Sequence, residues 1–446
     1  MERFSEVLDD LAAMGPRGLG RFAASIDPVW IEQALAHTGK ASTRRRKLPA
    51  DMVVWLIVGM ALFRDRSIVN VVEHLNLVAP GVESLAPSAI PPARARLGAE
   101  PMEWLFRKIA DAYSSAPALP TFHGLELYGI DGSHLRVQDS DENFEFFGKP
   151  GGRGGSGDAG YPQARIAVLL NLRSRLLADA RFGPFATSEQ NLAREMLSSI
   201  PEASITVLDR GFVNYALLDE IVGDREHERH VMIRLRRDQK FTDVELLPDG
   251  SALARMRPSN EARRKHADLA DFIQGRIIEY QHEGGTPSRI FVTLTDHEKY
   301  PAAEVVELYH ERWELEVGYD ELKTHMFERV ECLRSLSPNN VIQELWGLLL
   351  VFNLVRREML LVAVEHDLPP TRVSFRTAIL TCRDFWLITA WGAPGRVPRH
   401  LADLRMTLGS LIIPPRRTER RYPRHVKIKM SNYARNRGTR TRDGPK

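Results

Sequence analysis

The chain of 446 residues contains only two cysteines, Cys332 and Cys382, and nothing near either makes a metal-ligand spacing. That excludes a disulfide-stapled scaffold and a thiolate zinc site, and it fits a reducing cytoplasm. No run of 18 uninterrupted apolar residues occurs. The most apolar stretches, "DMVVWLIVGMALF" (51–63) and "LWGLLLVFNLV" (345–355), suit buried helices and not membrane spans, so no membrane partner is expected. The start, "MERFSEVLDDLAAMG", is acidic and helical in pattern, without the basic-then-apolar layout of a secretory signal. The G-x4-G-K-[ST] spacing of a P-loop is absent. The glycine-rich stretch "GKPGGRGGSGDAG" (148–160) is not fed by a strand, so it reads as a mobile loop whose Lys149 and Arg153 are available to a substrate. No internal repeat stands out.

What is present is enough apolar material, 43% of residues, for two or three domains with their own cores. The formal net charge of +3 is unevenly spread. Arg416–Lys446 carries 12 Lys/Arg against 2 acids, a net of +10, which leaves −7 for the rest. A basic tail on a mildly acidic body implies an anionic polymer as partner, nucleic acid first; the plainer alternative is a solubilising tail. Tyr422 and Tyr433 interleave with the cations and are available for stacking on bases.

Residues 1–115 read as helical. In "SAIPPARARLGAEPMEWLFRKIA" (88–110), Ser88 is a candidate cap, Gly98 a stop, and Arg94 and Arg96 lie between them. "TRRRKLP" (43–49) adds Arg44, Arg45 and Arg46. These cations suit either a small helical DNA-binding module or a helical scaffold with solvated arginines. Pro91–Pro92 sit awkwardly for a recognition helix, because proline beyond the first turn breaks the hydrogen-bond ladder. After residue 120 the pattern becomes mixed α/β: a strand "LELYGID" ending in Asp131, a hairpin over 163–183, a capped helix over 188–200, and a strand "ITVLDRGF" carrying Asp209. Residues 225–297 contain several β-like runs separated by charged loops and read as a β-rich insertion. A long helix is expected from Pro301, and a second, over 341–366, is apolar almost all round and so central.

The first of these helices carries "YHERWELEVGYDELK" (309–323). On a wheel at about 100° per residue, Glu307, Glu311, Glu314 and Glu321 fall on one side, which reads as a solvated face. Tyr309, Arg312, Glu316 and Lys323 fall together on the opposite side, flanked by Leu308, Leu315, Tyr319 and Leu322 on one edge. Charges in the middle of a buried face need partners or a ligand. Arg312 and Glu316, four apart, can form an internal ion pair, but that leaves Lys323 unmatched. A ligand site is the stronger reading. Asp131 and Asp209 each end a predicted strand; singly, either is a turn or cap residue. If the strands are neighbours and the helix packs there, Glu316 joins them, and three converging carboxylates need one or two hard divalent cations, Mg²⁺ or Mn²⁺, as in two-metal phosphoryl transfer.

The spacing Y-x2-R-x3-E-x6-K at Tyr309, Arg312, Glu316 and Lys323 resembles the signature of DDE transposases of bacterial insertion sequences, the insertion-sequence-four family. "LYGIDGSHLRVQDSDEN", "VLDRGFVNYALL" and "LTDHEKYPAAEVVELYHERWELEVGYDELK" are similar to the family's three acidic segments, and "RRRKLPADMVVWLIVGMAL" and "APSAIPPARARLG" to its N-terminal domain. The resemblance implies an α/β, ribonuclease-H-like catalytic core with a β-rich insertion, preceded by a helical N-terminal domain and followed by a basic tail. The expected division is 1–120 for the DNA-binding domain, 121–224 and 301–400 for the two parts of the core, 225–300 for the insertion and 401–446 for the tail. It also implies that Asp131, Asp209 and Glu316 are catalytic and hold two Mg²⁺ or Mn²⁺ ions. Tyr309, Arg312 and Lys323 would contact the phosphates of the element's ends, with Arg44, Arg45, Arg46, Arg94 and Arg96 as further DNA contacts. The activity implied is cut-and-paste DNA transposition: cleavage at terminal inverted repeats and transfer into target DNA by a homodimer, associated with the nucleoid. The alternatives are a non-catalytic DNA-binding relative and a nuclease without strand transfer.

Overall fold

The computed structural model describes residues 26–414 apart from 43–45, 76, 78–84, 115–118, 151–159, 224–227, 237, 282–286, 327–331 and 392–396. The expectations for Arg44, Arg45, Arg153 and the basic tail from Arg416 onward lie outside the described residues. The described residues up to Ile412 form one compact unit.

The helix Pro338–Glu365 runs through the first unit and is buried over nearly all its length. Pro338 occupies its first turn, where a missing N–H costs nothing. The helices Ala50–Leu62 and Glu100–Ser114 pack against it. The contact is pinned by buried charge: Arg64 donates to Glu344 at 2.6 Å, with both side chains sequestered from solvent. Burial works against the Glu344 carboxylate, but Arg64, Arg334 and Arg94 outweigh it and hold its pKa below the usual range. The short helix Ile90–Leu97 begins late enough that Pro91 and Pro92 fall in its first turn, so neither breaks it.

A mixed ten-stranded sheet forms the other layer, in the order β3-β2-β1-β4-β5-β9-β8-β7-β6, with β10 against β1. The strands are β1 (Glu126–Val137), β2 (Gln163–Asn171), β3 (Leu177–Pro184), β4 (Ser204–Leu208), β5 (Arg229–Arg234), β6 (Thr242–Leu246), β7 (Ala252–Met256), β8 (Ile273–Tyr280), β9 (Ser288–Val292) and β10 (Cys332–Leu333). Strands β1, β4 and β5 run parallel, and β2 and β3 add as an antiparallel hairpin. The β-like runs of 225–297 appear as β5 to β9, with β5 extending the parallel part and β9, β8, β7 and β6 following antiparallel.

Three expectations change. Asp131 does not end a strand: β1 continues six residues beyond it, because Asp131 to Arg136 pair with Val168 to Gln163 of β2. The helix from Pro301 is not continuous. It runs as Ala302–His310, a tightened turn through Glu311 and Arg312 whose N–H groups bond three residues back, Trp313–Asp320, and then a π-helical turn Glu321–Met326. The acidic face expected in solvent is largely paired. Glu311 accepts from Arg173 at 2.9 and 3.0 Å; Glu314 and Glu321 both hold Arg175; and Glu321, only 6% exposed, also pairs with the fully buried Arg356. The β2–β3 turn supplies Arg173 and Arg175, and the central helix supplies Arg356. Asn171 Oδ1 accepts from the N–H groups of Arg173 and Ser174, and Arg175 has φ +57°, so both guanidinium groups turn toward the helix.

Candidate acidic centre

The register of β1 on β4 sets the centre. Its last pair is Ile130↔Leu208, so Asp131 and Asp209 are the next residues on adjacent parallel strands, which lie about 4.8 Å apart. Among the described residues, β1 has no strand partner on this side between Ile130 and Arg136, which meets Cys332 of β10. Asp209 also does what a lone aspartate after a strand commonly does, accepting from the Gly211 N–H and capping a short 3-10 turn over Arg210–Phe212.

Helix Trp313–Asp320 docks on the face toward which Gly129 and Asp131 point. A Cβ on Gly129 would lie 2.6 Å from Leu315 Cδ1, so the close approach requires glycine. One turn further, the Tyr319 hydroxyl donates to the Asp131 carbonyl at 2.6 Å. Glu316 lies between those two anchors, ion-paired to Arg312 at 2.7 Å. Lys323 reaches the Ser133 hydroxyl, two residues past Asp131. The internal Arg312–Glu316 pair and the gathering of the signature residues near Asp131 thus coexist.

The electrostatics show crowded negative charge. Burial chiefly, with Asp209 and Glu189 adding repulsion, pushes the Asp131 carboxyl up to about 6 against the Gly132 N–H and Arg312. Burial works against the Arg312 cation, but Glu316, Tyr309 and Asp209 overcome it and its pKa rises. Burial lowers the Lys323 ammonium while Asp131 and Glu189 pull it back up. Tyr309 is 5% exposed and its hydroxyl has no hydrogen-bond partner among the described residues. Burial pushes its pKa well up. An orphaned buried hydroxyl beside Arg312 is an opening for a phosphate oxygen.

Among the described residues, no three His, Cys, Asp or Glu side chains stand in metal-holding geometry. The donor set nevertheless fits a hard divalent cation: two adjacent aspartates, one with a raised pKa, and a glutamate whose counter-charge is an arginine. Arg312 and Lys323 supply positive charge to this cluster.

The N-terminal arginines divide. Arg94 is 3% exposed and donates to Gln343 Oε1 at 2.9 Å and to Ser335 Oγ and the Asn340 carbonyl at 3.0 Å. This corrects the expectation of a DNA contact: the central helix, distant in sequence, consumes its donors. Arg96 and Arg46 are exposed and share a cavity of about 280 Å³ with Lys40. Two features escaped the sequence reading. Arg210, Arg234, Arg236 and Arg289 line a cavity of about 290 Å³ beginning at the residue after Asp209, for which the only signal was the cationic run "IRLRR". Glu189 enters the field of Asp131, for which the sequence offered no signal beyond an acid at a helix start.

An acidic cluster edged by Arg312, Lys323 and the buried Tyr309 hydroxyl fits one class, enzymes of phosphate-ester chemistry on a polyanion. Family comparison makes it specific. The family model "Insertion element 4 transposase N-terminal" matches residues 16–107, and "Transposase DDE domain" matches 123–354. The chain is 35% identical over 411 residues to "Transposase InsG for insertion sequence element IS4" of Escherichia coli (strain K12), covering 92% of each. It is 38% identical over 224 residues to "Putative transposase InsZ" of the same organism, covering 49% of this chain and 73% of that one. The chain belongs to the DDE transposases of the insertion element 4 family. A solved synaptic complex of piggyBac transposase with hairpin DNA aligns at TM-score 0.44 and 10% identity over 90% of this chain and 86% of that one, a likeness that says nothing further about this molecule. Family membership makes the protein a polynucleotidyl transferase that acts on DNA and depends on a divalent cation. Among the described residues no helix is long and apolar enough to cross a membrane.

Proposed function

We propose that Asp131, Asp209 and Glu316 are the catalytic carboxylates of this transposase, and that the first five strands are its ribonuclease-H-like core. The observation that carries this is the β1–β4 register, which sets the two aspartates side by side, with the helix of Glu316 docked on the face of Asp131. These three residues would hold two Mg²⁺ or Mn²⁺ ions, which supply the positive charge for activating an attacking oxygen and neutralising a leaving one.

The chain's own residues do the rest. Arg312, Lys323 and the Tyr309 hydroxyl bind phosphates of the element's end, and the arginine cavity from Arg210 to Arg289 continues that path. A phosphate arriving at Arg312 competes with Glu316 for the guanidinium and releases the carboxylate toward the two aspartates. Arg46 and Arg96, with the cationic tail, add contacts that weaken with salt. The domain division follows the sequence except that β5 joins the core: DNA-binding residues 1–120, core 121–234 and 301–400, insertion 235–300 and tail 401–446. Two DNA ends require a homodimer on DNA, and DNA binding places the protein at the nucleoid.

A supercoiled plasmid bearing the element's terminal inverted repeats, incubated with the full chain and Mg²⁺, tests this. Nicking and joining are expected for the parent. Asp131→Ala, Asp209→Ala and Glu316→Ala should bind the ends and not cut; normal cutting by any of them removes that residue from the set.

A further inference from the structure

We infer that Lys40, Arg46 and Arg96 form a clamp for the phosphates of a DNA backbone, and that the helix Ile90–Leu97 positions the duplex without reading its bases. The inference rests on the proposal above that Arg46 and Arg96 touch DNA, and it names the part of the DNA they touch.

A helix reads sequence by laying its exposed face in the major groove, where side chains bond base edges. The helix Ile90–Leu97 has little to offer there. Ile90, Ala93, Arg94 and Leu97 are buried, which leaves Pro91, Pro92, Ala95 and Arg96 facing outward. Three of those four side chains carry no hydrogen-bonding group. The helix is also fixed in this rotation. Arg94 donates to Gln343, Ser335 and the Asn340 carbonyl, and Gln343 Nε2 donates back to the carbonyls of Arg94 at 3.1 Å and Gly98 at 2.6 Å. Turning another face outward would break this buried set.

Arg96 lines a concavity, the cavity of about 280 Å³ that it shares with Lys40 and Arg46 over a floor of Leu48, Val53 and Ala93. Three separate segments each bring one cation to it: the turn after the helix Pro28–His37, the approach to the helix Ala50–Leu62, and the helix Ile90–Leu97. Among the described residues Arg46 and Arg96 have no ion pair, unlike Arg173 and Arg175, which carboxylates hold. Lys40 lies 3.9 Å from Glu100 Oε2, whose side chain is 60% exposed. A concave site admits a group that projects. Phosphate oxygens project from a duplex, whereas base edges lie recessed in its grooves. Lysine and arginine are donors only, and phosphate oxygens are acceptors only.

The competing explanations are solvated cations on a scaffold and a base-reading arginine. Fluorescence anisotropy in a chelator, which prevents cutting, compares two labelled duplexes of equal length, one carrying the terminal inverted repeat and one with that sequence scrambled. The full-length parent is set against Lys40→Gln, Arg46→Gln, Arg96→Gln and Arg96→Lys. Each glutamine variant should weaken binding to both duplexes by the same factor, within about twofold, with a parent-like melting curve. Each should also lower the slope of log K against log salt by about one, a roughly fourfold smaller fall in affinity between about 50 and about 200 mM salt. Arg96→Lys should restore most of the loss on both duplexes, because a point charge still serves a phosphate. A loss of about tenfold or more confined to the repeat duplex in Arg96→Gln makes Arg96 a base reader and overturns the inference, while the DNA contact itself stands. Parent-like affinity and salt slope on both duplexes for all three glutamine variants overturns the inference together with the reading on which it rests.

Discussion

Replacing Asp131 by asparagine should make the metal-free protein more stable, not less, at neutral and alkaline pH. The Asp131 carboxyl is pushed up to about 6, chiefly by burial and then by Asp209 and Glu189. In the unfolded chain it returns to its ordinary value of 3.8. A carboxyl whose folded pKa is raised binds its proton more tightly in the folded state, so ionising it costs stability as pH rises between the two values. Below about 4 the group is protonated in both states and the cost is absent; above about 6 it is complete. A shift of about two units corresponds to roughly 3 kcal/mol at about 1.36 kcal/mol per unit. Asparagine keeps an oxygen for the Gly132 N–H, 2.8 Å from Asp131 Oδ1, and removes the charge. Urea melts in a chelator should therefore show Asp131→Asn exceeding the parent by about 1–3 kcal/mol at pH 8, with the gap closing toward pH 4. Saturating Mg²⁺ should then raise the parent, by about 2.7 kcal/mol at 100 times the dissociation constant, and leave the variant unmoved. A gap of equal size at pH 4 and pH 8, or a parent more stable than the variant at pH 8 without divalent ions, would refute the reasoning.

Glu321→Ala strands Arg356, which is fully buried, and should cost about 3–5 kcal/mol in denaturant melts; a parent-like midpoint would show that the network is not what seats the helix. Arg94→Ala should lower stability by about 2–4 kcal/mol through its lost buried hydrogen bonds, while the folded fraction binds DNA ends like the parent. Arg96→Ala should do the reverse, keeping the melt and reducing the slope of log K against log salt by about one, as measured by fluorescence anisotropy. Arg312→Gln should bind DNA ends more weakly yet bind Mn²⁺ more tightly in the absence of DNA, because it removes the cation paired with Glu316. Weaker Mn²⁺ binding there would contradict the release of Glu316 by phosphate.

By itself the sequence determined most of the elements and singled out Asp131, Asp209 and Glu316 as candidate acids. Period-two apolar runs ending near Asp131 and Asp209 announce strands. An all-round apolar stretch at 341–366 announces a buried helix, and the spacing of Tyr309, Arg312, Glu316 and Lys323 announces one working face. Local periodicity carries these because side-chain direction repeats with the backbone. Only the tertiary structure decided what each face meets. Glu311, Glu314 and Glu321 form a regular polar stripe, yet Arg173, Arg175 and Arg356 arrive from distant segments and turn it into an ion-pair network. Arg94 reads like any surface arginine until the central helix covers it. The break at Glu311–Arg312 and the π-turn at Glu321 leave the polar and apolar pattern of the segment unmarked. Glu189 carries no local mark at all. Its place depends on a glycine 57 positions earlier, just as the adjacency of Asp131 and Asp209 depends on the register of β1 on β4, and strand register is a property of two segments together that neither segment encodes alone.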